Sequence, residues 1–350
     1  MGKKNRRKVS IESSLSYRFF TKLFSLKVGL PLLCIVCVVS GGFIYVGTLP
    51  APTFSIIQIT DTEFLSSTYP NLYSGLTNWI VDNAKSLHSE MVIHTGDIVH
   101  DPWNTTQWAN ADASMVPLVG RVPYIWLAGN HDLINDEGDG NASTYGYIGV
   151  NYNSFSPALI SSEPYFVSNI FEGTSNAVKF SFQGYNFMVI AIAFDANSTV
   201  LDWAKNLIDS NPKTNVIVAT HNFLNGEGGY GLPNSTFEVA WADNFETWLN
   251  QFPNVFLTLN GHCIGDGFSA WKQVNCRTET FFNMQQEDNK TGSVFARVYS
   301  FNMANPAHPT VNAYTVSSAS LPQWKQSVGE RIVSKNAPLQ FCFQTNLIKG

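Results

Sequence analysis

Five apolar, β-rich runs in this 350-residue chain each stop at a small cluster of polar residues, and that recurrence limits the possible fold more than any other feature. FSIIQIT ends at Asp61, MVIHT at Gly96-Asp97, and VPYIWLA at Gly129-Asn130-His131-Asp132. NVIVAT ends at His221-Asn222, and VFLTLN at Gly261-His262. Between several of them lie stretches whose apolar residues recur at helical spacing, NLYSGLTNWIVDNAKSL (71–87) and FEVAWADNFETWLNQF (237–252). Near-continuous apolar strands alternating with helices need sheets covered on at least one face, which makes the chain an α/β protein. The roughly 300 residues after position 50 suffice for one large domain with a buried core.

In α/β folds, ligands sit in the loops beyond the carboxyl ends of strands. Five strands here deliver Asp, Asp, Asn-His-Asp, His and His to those loops. A single Asp after a strand is ordinarily a helix cap, and a single His ordinarily a hydrogen-bonded loop residue. Five in succession call for a common purpose. Mixed carboxylate, amide and imidazole donors suit a divalent ion such as Mn, Fe or Zn, and do not suggest a thiolate site.

The order of these motifs resembles the calcineurin-like metallophosphoesterase family. The matching stretches are DTE (61–63), GDIVHD (96–101), GNHD (129–132), ATHN (219–222) and GHCI (261–264), spread over a domain of residues 53–320. The resemblance implies a two-sheet sandwich flanked by helices and a pair of divalent metal ions bridged by Asp97. Asn130, His221 and His262 match the remaining ligands of the second ion. At the first ion the chain departs from the pattern, keeping Asp61 but placing Glu63 and Ile264 where the family has histidines. Glu63 can still ligate through oxygen, whereas Ile264 cannot; Asp266 is the nearest substitute in sequence. A site built from carboxylates favours a harder ion, such as Mn or Mg, and holds it more weakly. The resemblance further implies that His131 stabilises the transition state or protonates the leaving oxygen, oriented by Asp132. The reaction would be hydrolysis of phosphate mono- or diesters by a metal-activated water. The alternative is a catalytically weakened protein that keeps one metal and binds a phosphorylated ligand. A cell-envelope scaffold without activity is a third reading.

Other features add smaller expectations. His94 lies inside a strand and reads as a core histidine, while His100 is equally compatible with a structural and a substrate-facing role. DEGDGN (136–141) lacks the spacing of a calcium loop and reads as a solvated acidic turn. Trp79, Trp108 and Trp126 fall at core-facing positions, and aromatic residues of TYGYIGVNYNSFS (144–156) are candidates to line a substrate cleft. RTETFFNMQQ, SVFARVYSFNM and TVNAYTVSSA read as antiparallel strands completing the second sheet; residues 321–350 receive no role.

The amino-terminal end has a different character. Residues 1–49 hold eight Lys or Arg against one acid, Glu12. Within them, VGLPLLCIVCVVSGGFIYVG is uncharged and long enough to cross a hydrocarbon core of about 30 Å as a helix. A cleaved signal peptide and an uncleaved anchor both fit. The length of the run and the poor cleavage site in LPAPTFS favour an anchor over 28–48. The basic segment 1–27 would then stay in the cytoplasm and the catalytic domain would face outward. The exported part carries 13 basic and 25 acidic residues, a balance that disfavours nucleic acid as a partner. Three of the five cysteines, Cys263, Cys276 and Cys342, lie in that part, and Cys263–Cys276 is the first choice for a disulfide. Sequons at Asn104, Asn141, Asn197, Asn234 and Asn289 agree with an exported, glycosylated surface.

Overall fold

Thr53–Ile59 (β1, TFSIIQI) is buried from its second residue onward, so both of its faces are covered. The structure is a computed structural model, and it describes residues 51–134, 146–263, 268–283, 285, 294–317 and 340–350. After β1 come α1 (Glu63–Thr68), α2 (Pro70–Leu87), β2 (Ser89–His94), α3 (Thr105–Met115) and β3 (Tyr124–Trp126). A second group follows: α4 (Pro157–Ser162), β4 (Phe166–Ile170), β5 (Ser175–Phe182), β6 (Tyr185–Ile192), α5 (Ser198–Asp209) and β7 (Asn215–Thr220). The chain closes with α6 (Thr236–Leu249), β8 (Val255–Asn260), β9 (Ser269–Val274), β10 (Arg277–Phe282), β11 (Phe295–Asn302), β12 (Thr310–Ser317) and β13 (Gln340–Gln344). All of these belong to one compact unit, Pro52–Gly350.

The strands form a six-stranded sheet, β13-β12-β11-β1-β2-β3, and a seven-stranded sheet, β4-β5-β6-β7-β8-β10-β9. Both sheets are mixed. β1, β2 and β3 run parallel, as do β6, β7, β8 and β10, with antiparallel strands toward the edges. The sheets meet through rings: Phe54 of β1 stacks on Phe301 of β11 at 4.4 Å and meets Phe187 of β6 at 5.3 Å, while Phe256 of β8 touches Phe187 and Phe301. Alternation along β7 shows how the seven-stranded sheet is covered twice. Ile217 and Ala219 join the core between the sheets, whereas Val216 and Val218 join the cluster beneath α5 and α6. On the outer side of the six-stranded sheet, Pro70 opens α2 where its missing N–H costs nothing, and Tyr73, Leu76, Trp79 and Ile80 bury its inner face.

Several expectations are corrected here. β10 is parallel to β8 and stays in the seven-stranded sheet, while β11 and β12 return to pair with β1 in the other. The three late strands therefore complete both sheets. Residues 340–350 have a structural part as well. β13 pairs with β12, and the last residues then reach β7, where Ile348 N–H donates to Asn215 Oδ1 (2.7 Å) and Asn215 Nδ2 donates to Ile348 O (2.9 Å). Tyr147 and Phe155 line no cleft: both are buried in the core against Trp108, and Tyr152 stacks on the same indole at 5.8 Å. Packing against Trp108, a buried tryptophan of α3, removes the Tyr147 and Phe155 rings from solvent. Cys263 and Cys276 are free thiols, the first buried and the second exposed. Cys263 Sγ instead donates to Asn222 Oδ1 at 2.9 Å.

Among the described residues no helix is long and apolar enough to cross a membrane. The anchor expected at 28–48 and the basic segment 1–27 lie outside the described residues, as do the acidic turn 136–141, Ile264 and Asp266. Of the sequon asparagines, Asn104 and Asn197 serve as N-caps of α3 and α5, their side-chain oxygens accepting from the first-turn N–H groups.

Candidate metal centre

The loops at the carboxyl ends of β1, β2 and β3 from one sheet and of β7 and β8 from the other meet at a common place, where His262 N–H donates to Asp61 and His221 lies against Asp97 and Asn130. Buried Gln58 ties them together just below it, donating to Thr95 Oγ1 and Asn260 O (both 3.1 Å) and accepting from Tyr299 OH (2.9 Å). The loops that follow are sharply bent. Asp61, Asp97 and His262 all take left-handed backbone, with φ of 49°, 51° and 60°. For a residue with a Cβ that conformation costs roughly 1–2 kcal/mol, and it clusters where a side chain must be aimed. Three glycines make room for the bend. A Cβ on Gly129 would overlap Asp97, one on Gly261 would overlap Thr60 Oγ1 and Asp61 Oδ2, and one on Gly96 would lie 2.6 Å from His221 Nδ1.

Two groups of side chains converge there and share Asp97: Asp97, His221 and His262, with ligand atoms within 4.8 Å of one another, and Asp61, Glu63 and Asp97 under the same limit. Asn130 belongs to the first group, its Oδ1 lying 3.0 Å from His221 Nε2. Thr95 O accepts from His221 Nδ1 at 2.7 Å, which turns Nε2 toward Asp97 Oδ1 at 3.2 Å. Asp61 accepts the His262 N–H (3.1 Å to Oδ1) and the Thr60 hydroxyl, so the two groups are braced against each other. All six expected ligands, Asp61, Glu63, Asp97, Asn130, His221 and His262, are thus brought together.

Three carboxylates buried side by side are costly without a cation. Burial, with a further push from Asp97, raises the Asp61 carboxyl to about 6. Burial also pushes Asp97 up, but the charge and hydrogen bond of His221 outweigh it and hold Asp97 well below the usual carboxylate range. The same pair seen from the other side has burial pulling His221 down and Asp97 lifting it to about 10. The donor chemistry fits divalent ions: imidazole, amide and carboxylate in one group, and oxygen alone in the other.

His131 and Asp132 follow Asn130 in one short 3-10 turn and separate immediately. The His131 ring is held by a hydrogen bond from Nδ1 to His100 O (2.8 Å) and lies on the His100 ring at 5.0 Å, which lies on Phe64 at 5.5 Å. Burial lowers the His131 pKa, yet the Asp97 charge and the His100 carbonyl more than compensate and raise it. Asp132 makes no hydrogen bond to that ring. Its oxygens accept from the backbone N–H groups of Ile98 (2.8 Å), Val99 (3.1 Å) and Gly129 (2.8 Å), clamping the β2 and β3 loops to each other. The expectation that Asp132 orients His131 is therefore corrected: the His100 carbonyl does so, and a fully buried Asp132 satisfies backbone. His94 is the core histidine expected, its Nδ1 accepting from Gly96 N–H (3.2 Å) and its Nε2 meeting Thr62 Oγ1 (2.9 Å).

Two features have no counterpart in the sequence reading. Asp195, at the end of the run FMVIAIAF and also left-handed (φ 41°), accepts from Asn222 Nδ2 at 2.8 Å, and Asn222 accepts from Cys263. This chain of three links the loops after β6, β7 and β8, and the same rule of a polar residue ending an apolar strand finds Asp195. Glu238, in the first turn of α6, lies 2.9 Å from His262 Nε2. No local pattern marks it.

A profile of calcineurin-like phosphoesterases matches residues 54–274. The uncharacterized protein YvnB of Bacillus subtilis (strain 168) is 26% identical over 210 residues, which are 60% of this chain and 15% of that protein. The chain thus spans well under a fifth of this relative's length. Among solved structures, the purple acid phosphatase PPD1 from yellow lupin (Lupinus luteus) seeds superposes with a TM-score of 0.48 at 13% identity, covering 78% of this chain and 55% of that one. TT1561 of Thermus thermophilus superposes with a TM-score of 0.42 at 9% identity, covering 70% and 94%.

Proposed function

The chain belongs to the calcineurin-like phosphoesterase family, and we propose that it is a membrane-anchored phosphoester hydrolase working with two divalent ions, its catalytic domain facing outward, on phosphate mono- or diesters. The observation that carries the two-ion reading is the sharing of Asp97 by both ligand groups. Asp97, Asn130, His221 and His262 would hold one ion, and Asp61, Glu63 and Asp97 the other. Mn, Fe or Zn suits the nitrogen-containing group, and the all-oxygen group holds its ion more weakly. The anchor is supported by the basic segment and the uncharged apolar run before residue 50.

When bound, such ions polarise phosphoryl oxygens and lower the pKa of water so that hydroxide is available near neutral pH. The chain's own residues do the rest. Asp97 offers one carboxylate to both groups, and its Oδ1 also accepts the His131 N–H at 3.0 Å, which fixes the histidine beside the centre. With Nδ1 committed to the His100 carbonyl, His131 has Nε2 left to deliver a proton to the leaving oxygen. The Asp97 charge and the His100 carbonyl favour the protonated ring.

Full-length protein in detergent, supplied with Mn, should hydrolyse an aryl phosphomonoester or diester, and His221→Ala should remove that activity. A wild-type protein that binds metal yet hydrolyses neither ester would leave a one-metal phospho-ligand binder as the better reading.

A further inference from the structure

Glu238 reaches the metal centre from outside the strand-end motifs. It arrives on α6, where Ser235 Oγ caps the helix by accepting the Glu238 N–H at 3.3 Å, and its Oε2 lies 2.9 Å from His262 Nε2. The two side chains are 13% and 14% exposed, so the contact is shielded from much of the solvent. A neutral imidazole has one N–H and one lone pair, and whichever nitrogen gives its proton to a neighbour leaves the other as the ligand. His221 settles this choice through Thr95 O, which takes Nδ1–H and leaves Nε2 for the centre. His262 lies 4.8 Å from His221, ring to ring, and both rings stand edge-on to Phe194. In His262 the acceptor is a carboxylate, and it sits on the opposite nitrogen.

We propose that Glu238 is a positioning residue that holds His262 in the Nε2–H tautomer, so that Nδ1 is the nitrogen offered to a divalent cation. The proposal rests on the metal-centre reading above and adds a residue that the five strand-end motifs do not contain. A carboxylate accepting the far N–H of a ligating histidine fixes the ring's orientation and raises its basicity, and loss of such a partner typically weakens metal binding about 10–100-fold. Glu238 thereby makes the first turn of α6 part of the centre, tying His262 to a helix as Asp61 ties it to the end of β1.

The test uses full-length protein labelled with ¹⁵N-histidine, with the His262 signals assigned through a His262→Gln variant. Ring spectra are recorded without metal and with Zn, and Zn affinity is measured by chelator competition. Wild type should show His262 protonated at Nε2 without metal and Zn-bound at Nδ1. Glu238→Ala should lose the single tautomer and bind the Zn of the group containing His262 about 10–100-fold less tightly. Glu238→Gln keeps an acceptor of the same shape, so it should restore the tautomer and recover part of the affinity, which a purely structural role for Glu238 would not produce. Unchanged affinity and tautomer in Glu238→Ala, or Zn on Nε2 in the wild type, would overturn the proposal alone. A wild-type protein that takes up no Zn would overturn the metal centre and the proposal together.

Discussion

His131 and Asp132 are neighbours in sequence, and their substitutions should fail in different ways. His131 donates through Nδ1 to the His100 carbonyl and keeps Nε2 for chemistry, so His131→Ala should lower kcat by about 10²–10⁴ while metal content and melting temperature stay near wild type. Asp132→Ala would strand three buried N–H groups, each worth about 1–3 kcal/mol when left unpaired, and should shift the urea midpoint sharply downward. If instead Asp132→Ala keeps its stability and loses only kcat, the clamp assigned to it is wrong. The residues that converge at the centre were legible, because Asp61, Asp97, Asn130, His221 and His262 each end an apolar run. The partner of His131 was not, because adjacency in sequence suggested Asp132 whereas the ring turns toward a carbonyl 31 residues away. Glu238 was invisible for a related reason: an acid in the first turn of a helix reads as a favourable dipole partner until the tertiary fold places a histidine against it.

At the scale of elements, the centre depends on how tightly the loops after β1 and β8 approach each other. Gly261 has no space for a side chain against Thr60 and Asp61, so Gly261→Ala should cost about 1–3 kcal/mol and, by displacing Asp61, weaken the all-oxygen metal site before the nitrogen-containing one. Calorimetric metal titration would show this as loss of the weaker binding step with the stronger retained; loss of the stronger step first would contradict the assignment. The carboxyl end supplies a second test. Leu347 is 7% exposed, and Ile348 exchanges two hydrogen bonds with Asn215 at the start of β7. Deleting residues 346–350 should therefore destabilise the protein by about 2–4 kcal/mol, from the lost apolar burial and hydrogen bonds, with an unchanged metal stoichiometry. An unaltered denaturation midpoint would show that these residues contribute no support. Strands β1, β2, β3, β7 and β8 could be read from sequence because burial on both faces makes them continuously apolar. The sheet that β10, β11 and β12 each join could not, since partner choice is set by long-range pairing that leaves no local mark.

Across the whole molecule, each sheet brings part of a centre that neither could build alone: Asp61, Glu63, Asp97 and Asn130 come from the β1–β3 side, and His221 and His262 from β7 and β8. The acidic balance of residues 50–350 is consistent with this, because the buried carboxylates at the centre need a cation and the surrounding field favours its arrival. The family pattern made two metals an expectation. Motifs alone left the first site without either of its histidines, and Glu63, buried beside Asp61 and Asp97, is the donor that the proposed second ion would use there. Anomalous diffraction from crystals of the full-length protein grown with Mn is the most direct test. The account predicts two ions per chain, both touching Asp97, with the one at Asp61 and Glu63 lost in a Glu63→Ala variant. A single ion at Asp97, His221 and His262, with nothing beside Asp61 and Glu63 at any Mn concentration, would contradict it.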